Sequence, residues 1–198
     1  MDNRLRIAGT IGLVAPIVTF TCILVAIASW PQFSWTHNAL SDLGVQNGFT
    51  AAVFNSGLVI GGILFAVFAT GLYSFTGKRF VGKVGTACFF LAWIALIAIG
   101  VFNESFRPTH YIVSVMLFVF LPISLLVFML TFWLEGKRKL SAFTLALALV
   151  AAAVWVLQFT VHYASNVAIP EFISGLAGAA WVWVLSFLML EGVHKPKP

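Results

Sequence analysis

Phe49-Thr-Ala-Ala-Val-Phe-Asn-Ser-Gly-Leu-Val-Ile-Gly-Gly-Ile-Leu-Phe-Ala-Val-Phe-Ala-Thr-Gly-Leu-Tyr-Ser-Phe75 contains no charged side chain. At about 1.5 Å of rise per residue, a helix of this length exceeds the roughly 30 Å hydrocarbon core of a bilayer. Lipid offers the backbone no hydrogen-bonding partners, so a run of this kind crosses it as a helix. Five further apolar runs flank it, at Ile7–Ser29, Val84–Phe102, Tyr111–Leu134, Leu140–Tyr163 and Pro170–Leu190. The sequence therefore predicts an all-α integral membrane bundle of six transmembrane helices. The second and fourth spans are long enough to tilt.

Composition agrees with lipid as the solvent. The chain has 198 residues, of which 61% are hydrophobic, and its mean hydropathy is +1.04; soluble domains are only about 45–50% apolar. No hydrophilic segment reaches the ~50 residues of a soluble domain, so residues 1–198 are expected to form a single transmembrane domain. The first run resembles a secretory signal in position, but its apolar stretch extends over about 20 residues and reads as a retained helix. Cys22 and Cys88 stand in separate apolar runs, a spacing that supports neither a disulfide framework nor a thiolate metal site.

The formal charge of +5 comes from short basic clusters beside the spans, which excludes nucleic acid as the natural partner and instead sets orientation. Arg4 and Arg6 precede the first span, Lys78, Arg79 and Lys83 join the second to the third, Lys137, Arg138 and Lys139 join the fourth to the fifth, and Lys195 and Lys197 follow the sixth. With six spans, only Arg107 of the 11 basic residues falls on the other side. Both termini are thus expected in the cytoplasm of a multi-pass protein of the cell membrane. Trp30, Phe33, Trp35, Tyr111 and Tyr163 near one boundary, and Tyr73, Phe75, Phe80 and Trp133 near the other, read as aromatic belts.

Small residues recur at helical spacing in spans two and six, at Gly57 and Gly61, Gly62, Ala66 and Thr70, Ser174 and Gly178, and Gly175 and Ala179. Such faces let backbones approach closely, within one chain or in a homo-oligomer. Pro16 and Pro122 interrupt spans one and four, and Pro170 suits the first turn of span six.

Polar chemistry is rare, since only 9% of residues are charged, and its placement is uneven. Three of the four histidines and three of the six acids fall in or beside the first, third and fifth connections. The first connection, Ser34-Trp-Thr-His-Asn-Ala-Leu-Ser-Asp-Leu-Gly44, predicts a short interfacial helix capped by Ser34 and ended by Gly44, with His37 and Ser41, and Asn38 and Asp42, paired at i,i+4. Asp42 and Ser41 serve equally to fix a turn or to cap span two. Glu104 and Arg107 stand close enough to pair with each other. His110 opens an apolar span, where a histidine can orient a loop, bind a metal or exchange a proton. Gln158 and His162 share a face near the end of span five, Asn55 is a further wall residue on span two, and Glu171 sits where the dipole of span six favours a carboxylate. The candidate binding residues are thus His37, Ser41, Asp42, Asn55, Glu104, Arg107, His110, Gln158, His162 and Glu171. No zincin, nucleophile-elbow, phosphate-loop or Cys-x-x-Cys motif is present, so any catalytic site would be assembled from several spans.

His37-Asn-Ala-Leu-Ser-Asp-Leu-Gly44, the stretch from Phe102 to His110 and Pro170-Glu171 together resemble the prokaryotic membrane family called domain of unknown function 998. The resemblance covers nearly the whole chain and implies six spans, without an established reaction. Ser41-Asp42 ahead of a span is more distantly similar to the damage-regulated autophagy modulator group, whose members are linked to lipid handling, and this similarity implies importance for those two residues. The weakest likeness is to the alkaline ceramidase and adiponectin-receptor superfamily, which uses Ser, Asp and His around zinc.

Two functions follow as expectations. One is a pocket in which a membrane lipid head group or similar amphiphile meets His37, Ser41, Asp42, His110 and Glu171. The other is a metal-dependent hydrolase of a lipid amide or ester, with Zn held by some of His37, Asp42, His110, His162 and Glu171. A small transporter or scaffold is a third class, disfavoured by the lack of ionisable residues at mid-span.

Overall fold

A computed structural model describes residues 3–76 and 79–194, with side chains through residue 192. Lys78, Lys195 and Lys197 lie outside the described residues. Six α-helices follow one another: α1 (Asn3–Ala28), α2 (Phe49–Phe75), α3 (Phe80–Val101), α4 (Thr109–Leu134), α5 (Arg138–Val161) and α6 (Ala168–His194). A 3-10 helix at Leu40–Val45 lies between α1 and α2. All six α-helices are long and apolar enough to cross a membrane, and the described residues contain no strand.

The helix ends differ from expectation for identifiable reasons. α1 and α5 begin earlier, taking Arg4, Arg6 and Arg138 into their first turns; long basic side chains lay their stems along apolar surface while the charge stays in water. α4 begins at Thr109, so His110 belongs to its first turn rather than to the loop before it. α5 stops at Val161 instead of Tyr163, because His162 adopts the left-handed conformation (φ 53°, ψ 49°) while its N–H still reaches the Gln158 carbonyl at 3.1 Å. Pro170 falls within the first turn of α6, where its missing N–H leaves no intrahelical bond unmade.

Each helix packs against its neighbours in the chain, and α6 returns to α1 to close a ring. The start of α1 and the end of α6 lie at the same end of this ring, called terminal below, since Gly9 of α1 faces Leu190 of α6; the opposite end is called distal. At the terminal end, Arg138 lies over the Trp133 ring at 3.5 Å and Lys137 over Phe75 at 4.9 Å, so cations and aromatic anchors share the boundary.

Close approach fixes the ring on one side. A methyl added at Gly57 or Gly61 of α2 would collide with Cys22 or Thr19 of α1, and Gly62 packs against Ile97 and the Trp93 carbonyl of α3. In α6, Gly175 faces Phe20 and Gly178 faces Leu121. The glycines of these faces are therefore met within the chain, while Thr70 is exposed. Aromatic side chains fill the axis below the distal third. Phe65 stacks on Trp93 with centroids 3.7 Å apart, and Phe89 contacts Phe68, Phe128 and Trp181. The Trp181 N–H donates to Thr144 Oγ1 at 3.0 Å, satisfying the polar edge of the buried ring.

Candidate functional site

The first connection does not form the expected helix from Ser34 to Gly44. The Ser34 carbonyl accepts from the Asn38 N–H at 2.9 Å in a single turn, Ala39 is extended (φ −89°, ψ 157°), and only Leu40–Val45 is helical, in the tighter 3-10 form. The break at Ala39 separates His37 from Ser41. The His37 ring is exposed and bonds locally to the hydroxyls of Ser34 (3.0 Å) and Thr36 (2.9 Å). The other expected pair is present: Asn38 Nδ2 donates to Asp42 Oδ2 at 2.7 Å, and the same oxygen accepts the Ala39 N–H at 3.0 Å. Asp42 thereby satisfies one of the donors that a helix start leaves free.

Two distant segments lock this short helix in place. Glu171, in the first turn of α6, accepts the Leu40 N–H on Oε2 at 2.6 Å. Asn55 of α2 donates from Nδ2 to the Gly44 carbonyl at 2.9 Å, holding the other end. The α5–α6 connection joins them, since the N–H groups of Ser165 and Ala168 donate to the carbonyls of Thr36 (2.8 Å) and Asn38 (3.0 Å).

The α3–α4 connection supplies the third side. Ser41, itself 8% exposed, donates from Oγ to Glu104 Oε1 at 3.2 Å, and Arg107 pairs with the same oxygen at 3.3 Å. His110 is 5% exposed, and its Nδ1 lies 2.7 Å from the Phe102 carbonyl oxygen. A carbonyl only accepts, so Nδ1 carries the hydrogen, and in the neutral ring Nε2 is left as an acceptor. Ser114 Oγ, one turn along α4, stands 3.5 Å from that nitrogen.

These groups surround a distal cavity of about 610 Å³ whose lining includes the surface-exposed side chains Tyr111, Val115 and Val119 of α4 and Phe159 of α5. Ser41, Asp42, Glu104, Arg107, His110, Ser114, Asn166 and Glu171 form its polar wall, and Tyr111, Phe118, Trp155 and Phe159 its aromatic one. A second, axial pocket of about 80 Å³ lies inside the ring, walled mainly by apolar side chains of α1, α2, α3, α4 and α6. The two share Ser41, Ser114, Phe118 and Glu171 as common lining. The polar and apolar spaces thus adjoin along four side chains.

Of the ten expected residues, the cavity gathers Ser41, Asp42, Glu104, Arg107, His110 and Glu171. Asn55 acts from outside it through Gly44. Gln158 is buried and donates from Nε2 to the Ala164 carbonyl at 2.8 Å, so it ties the α5–α6 connection instead of lining a site. His162 is exposed at the end of α5, and His37 lies on the far side of the turn at Ala39. Neither joins Asp42, His110 and Glu171 in the cavity wall. Among the described residues no group of three or more His, Cys, Asp or Glu side chains is arranged to hold a metal ion, so the expected Zn donor set is not assembled. Sequence reasoning missed Ser114, Trp155 and Asn166 as wall residues. Ser114 was accessible through its i+4 spacing from His110; Asn166 depends on a tertiary contact that carries no local signal.

Comparison with curated proteins and with solved structures finds no match, and the similarity to the damage-regulated autophagy modulator group is not confirmed by it. The family comparison does find one. Over residues 13–188 the chain matches the model described as protein of unknown function (DUF998), and with six membrane-type helices spanning that match it belongs to this family.

Proposed function

We propose that the distal cavity binds the polar head of a membrane lipid or similar amphiphile, with its apolar part in the axial pocket and along the cleft between α4 and α5. The observation that carries this reading is the shared lining of Ser41, Ser114, Phe118 and Glu171, which sets a polar compartment directly beside an apolar one. Ligand sites commonly combine an apolar body with a few polar groups that fix orientation. Tyr111, Val115, Val119 and Phe159 on the open side of the cavity are all exposed on the bundle surface, so a ligand reaches it from the bilayer without crossing water. In this reading the protein sits in the cell membrane with both termini cytoplasmic, as the basic residues at the terminal end favour. The metal-dependent hydrolase is the weaker reading, because its donors stand apart.

Ser114→Phe tests the proposal by placing a ring where the two compartments meet. Lipid extracted from the purified variant is expected to lack an amphiphile that co-purifies with the parent protein, while the thermal transition is unchanged. Identical extracts from both proteins would overturn the reading.

A further inference from the structure

We infer that the distal site selects a head group bearing a primary ammonium, so that its ligand is a long-chain amine. This rests on the amphiphile reading above and deepens it.

Acceptors dominate the cavity wall. Asp42, Glu104 and Glu171 arrive from three separate segments, and each uses only one carboxylate oxygen internally: Asp42 Oδ2, Glu104 Oε1 and Glu171 Oε2. The second oxygen of each has no hydrogen-bond partner among the described residues. His110 adds a fourth acceptor. With Nδ1–H held by the Phe102 carbonyl, Nε2 of this 5% exposed ring faces only the Ser114 hydroxyl, at the 3.5 Å limit of a hydrogen bond.

Donors are fewer: beside the Ser114 and Tyr111 hydroxyls, Asn166 Nδ2 already donates to the His37 carbonyl at 3.4 Å. The Ser41 hydroxyl is already committed to Glu104. Arg107 is the one cation in the wall; its side chain is 72% exposed and bonded to Glu104. Three carboxyl groups thus stand against one guanidinium in the lining. Acids beside a hydrocarbon phase require compensating positive charge, and acceptors that face an open cavity are matched by N–H or O–H donors on the group that fills it. A phosphate or sulfate head brings acceptors alone and matches neither need. A primary ammonium brings one charge and three N–H donors. The aromatic wall agrees, since Phe118 and Trp155 lie 4.7 Å apart by centroid and Trp155 stacks towards Phe159 at 5.9 Å. Ring faces of this kind attract ammonium groups.

The test compares dodecylamine, dodecanol, dodecyl phosphate and methylammonium by native mass spectrometry of the full chain released from dodecyl maltoside micelles. Dodecylamine is expected to bind about tenfold tighter than the other two twelve-carbon probes, as one added charge-assisted contact provides. Glu171→Gln, which keeps an acceptor for the Leu40 N–H, is expected to remove most of that preference with the melting temperature retained. Glu104→Gln provides the same test if the first variant does not fold. Equal binding of all three twelve-carbon probes, or a preference unchanged in both variants, overturns the ammonium assignment and leaves the amphiphile reading standing. Failure of every twelve-carbon probe to bind overturns both. Methylammonium binding as tightly as dodecylamine supports the ammonium assignment and overturns the role of the tail.

Discussion

The terminal half of the bundle and its distal half are built on opposite principles. Below the axial pocket, rings such as Phe89, Phe128 and Trp181 fill the axis, and Gly71 brings α2 against Ala8 of α1 without room for a methyl group. Above it, hydrogen bonds replace packing: a short 3-10 helix, two connections and the first turns of α4 and α6 are tied through carboxylates and carbonyls around an open space. Lipid tails are as apolar as leucine, so association of helices in the bilayer depends on close van der Waals contact. The half with that contact supplies stability. The other half keeps such contact between α1 and α2 but leaves its axis open.

Substitutions in the two halves should therefore separate stability from binding. Phe128→Ala, in the filled half, is expected to cost about 3–5 kcal/mol, because a fully buried ring leaves a cavity among Phe89, Phe132 and Trp181. Thermal unfolding in detergent measures this, and retained binding in the protein that remains folded would sharpen the division. Equal loss of stability and binding would erase it. In the distal half, Asp42→Ala removes the acceptor for Asn38 and Ala39 and is expected to cost about 1–3 kcal/mol locally. Hydrogen exchange should quicken over Leu40–Val45 while amides of α2 and α3 keep their protection; uniform quickening would mean that the 3-10 helix and the bundle unfold as one unit. Arg107→Ala is the mildest, at less than about 1 kcal/mol, because its pair with Glu104 is largely solvent-facing. An unfolding midpoint lowered as far as that of Phe128→Ala would place the guanidinium in the framework of the protein.

The two halves were also unequally legible in the sequence. Six spans could be read because each continuous apolar run has one solution in lipid, whatever its neighbours do. The use of Gly57 and Gly61 against α1 followed the spacing rule as well, although the spacing did not name the partner helix. At the distal end, the reading found Ser41, Asp42, Glu104, Arg107, His110 and Glu171 from charge scarcity and placement beside the connections. It erred on His37, which α-helical periodicity paired with Ser41 across a segment that the extended Ala39 interrupts. Gln158 and His162 shared a face in the pattern, yet one bonds inward to Ala164 and the other ends the helix in a left-handed turn. Local period predicts neighbours only as far as the helix continues. Trp155 gave no signal of a role in the wall, because a tryptophan in an apolar span satisfies every expectation for the membrane.

The bond from the Leu40 N–H to Glu171 spans 131 positions of the chain, and the Ala168 N–H to Asn38 carbonyl bond closes a similarly long circuit. A ribosome delivers the first connection long before it delivers the segment that completes it. Until α6 is made, Asp42 and Glu104 lack Glu171, their third companion in the cavity wall. A product terminated between α5 and α6 carries five of the six helices and an unfinished chamber. The wall is thus closed only by the arrival of α6.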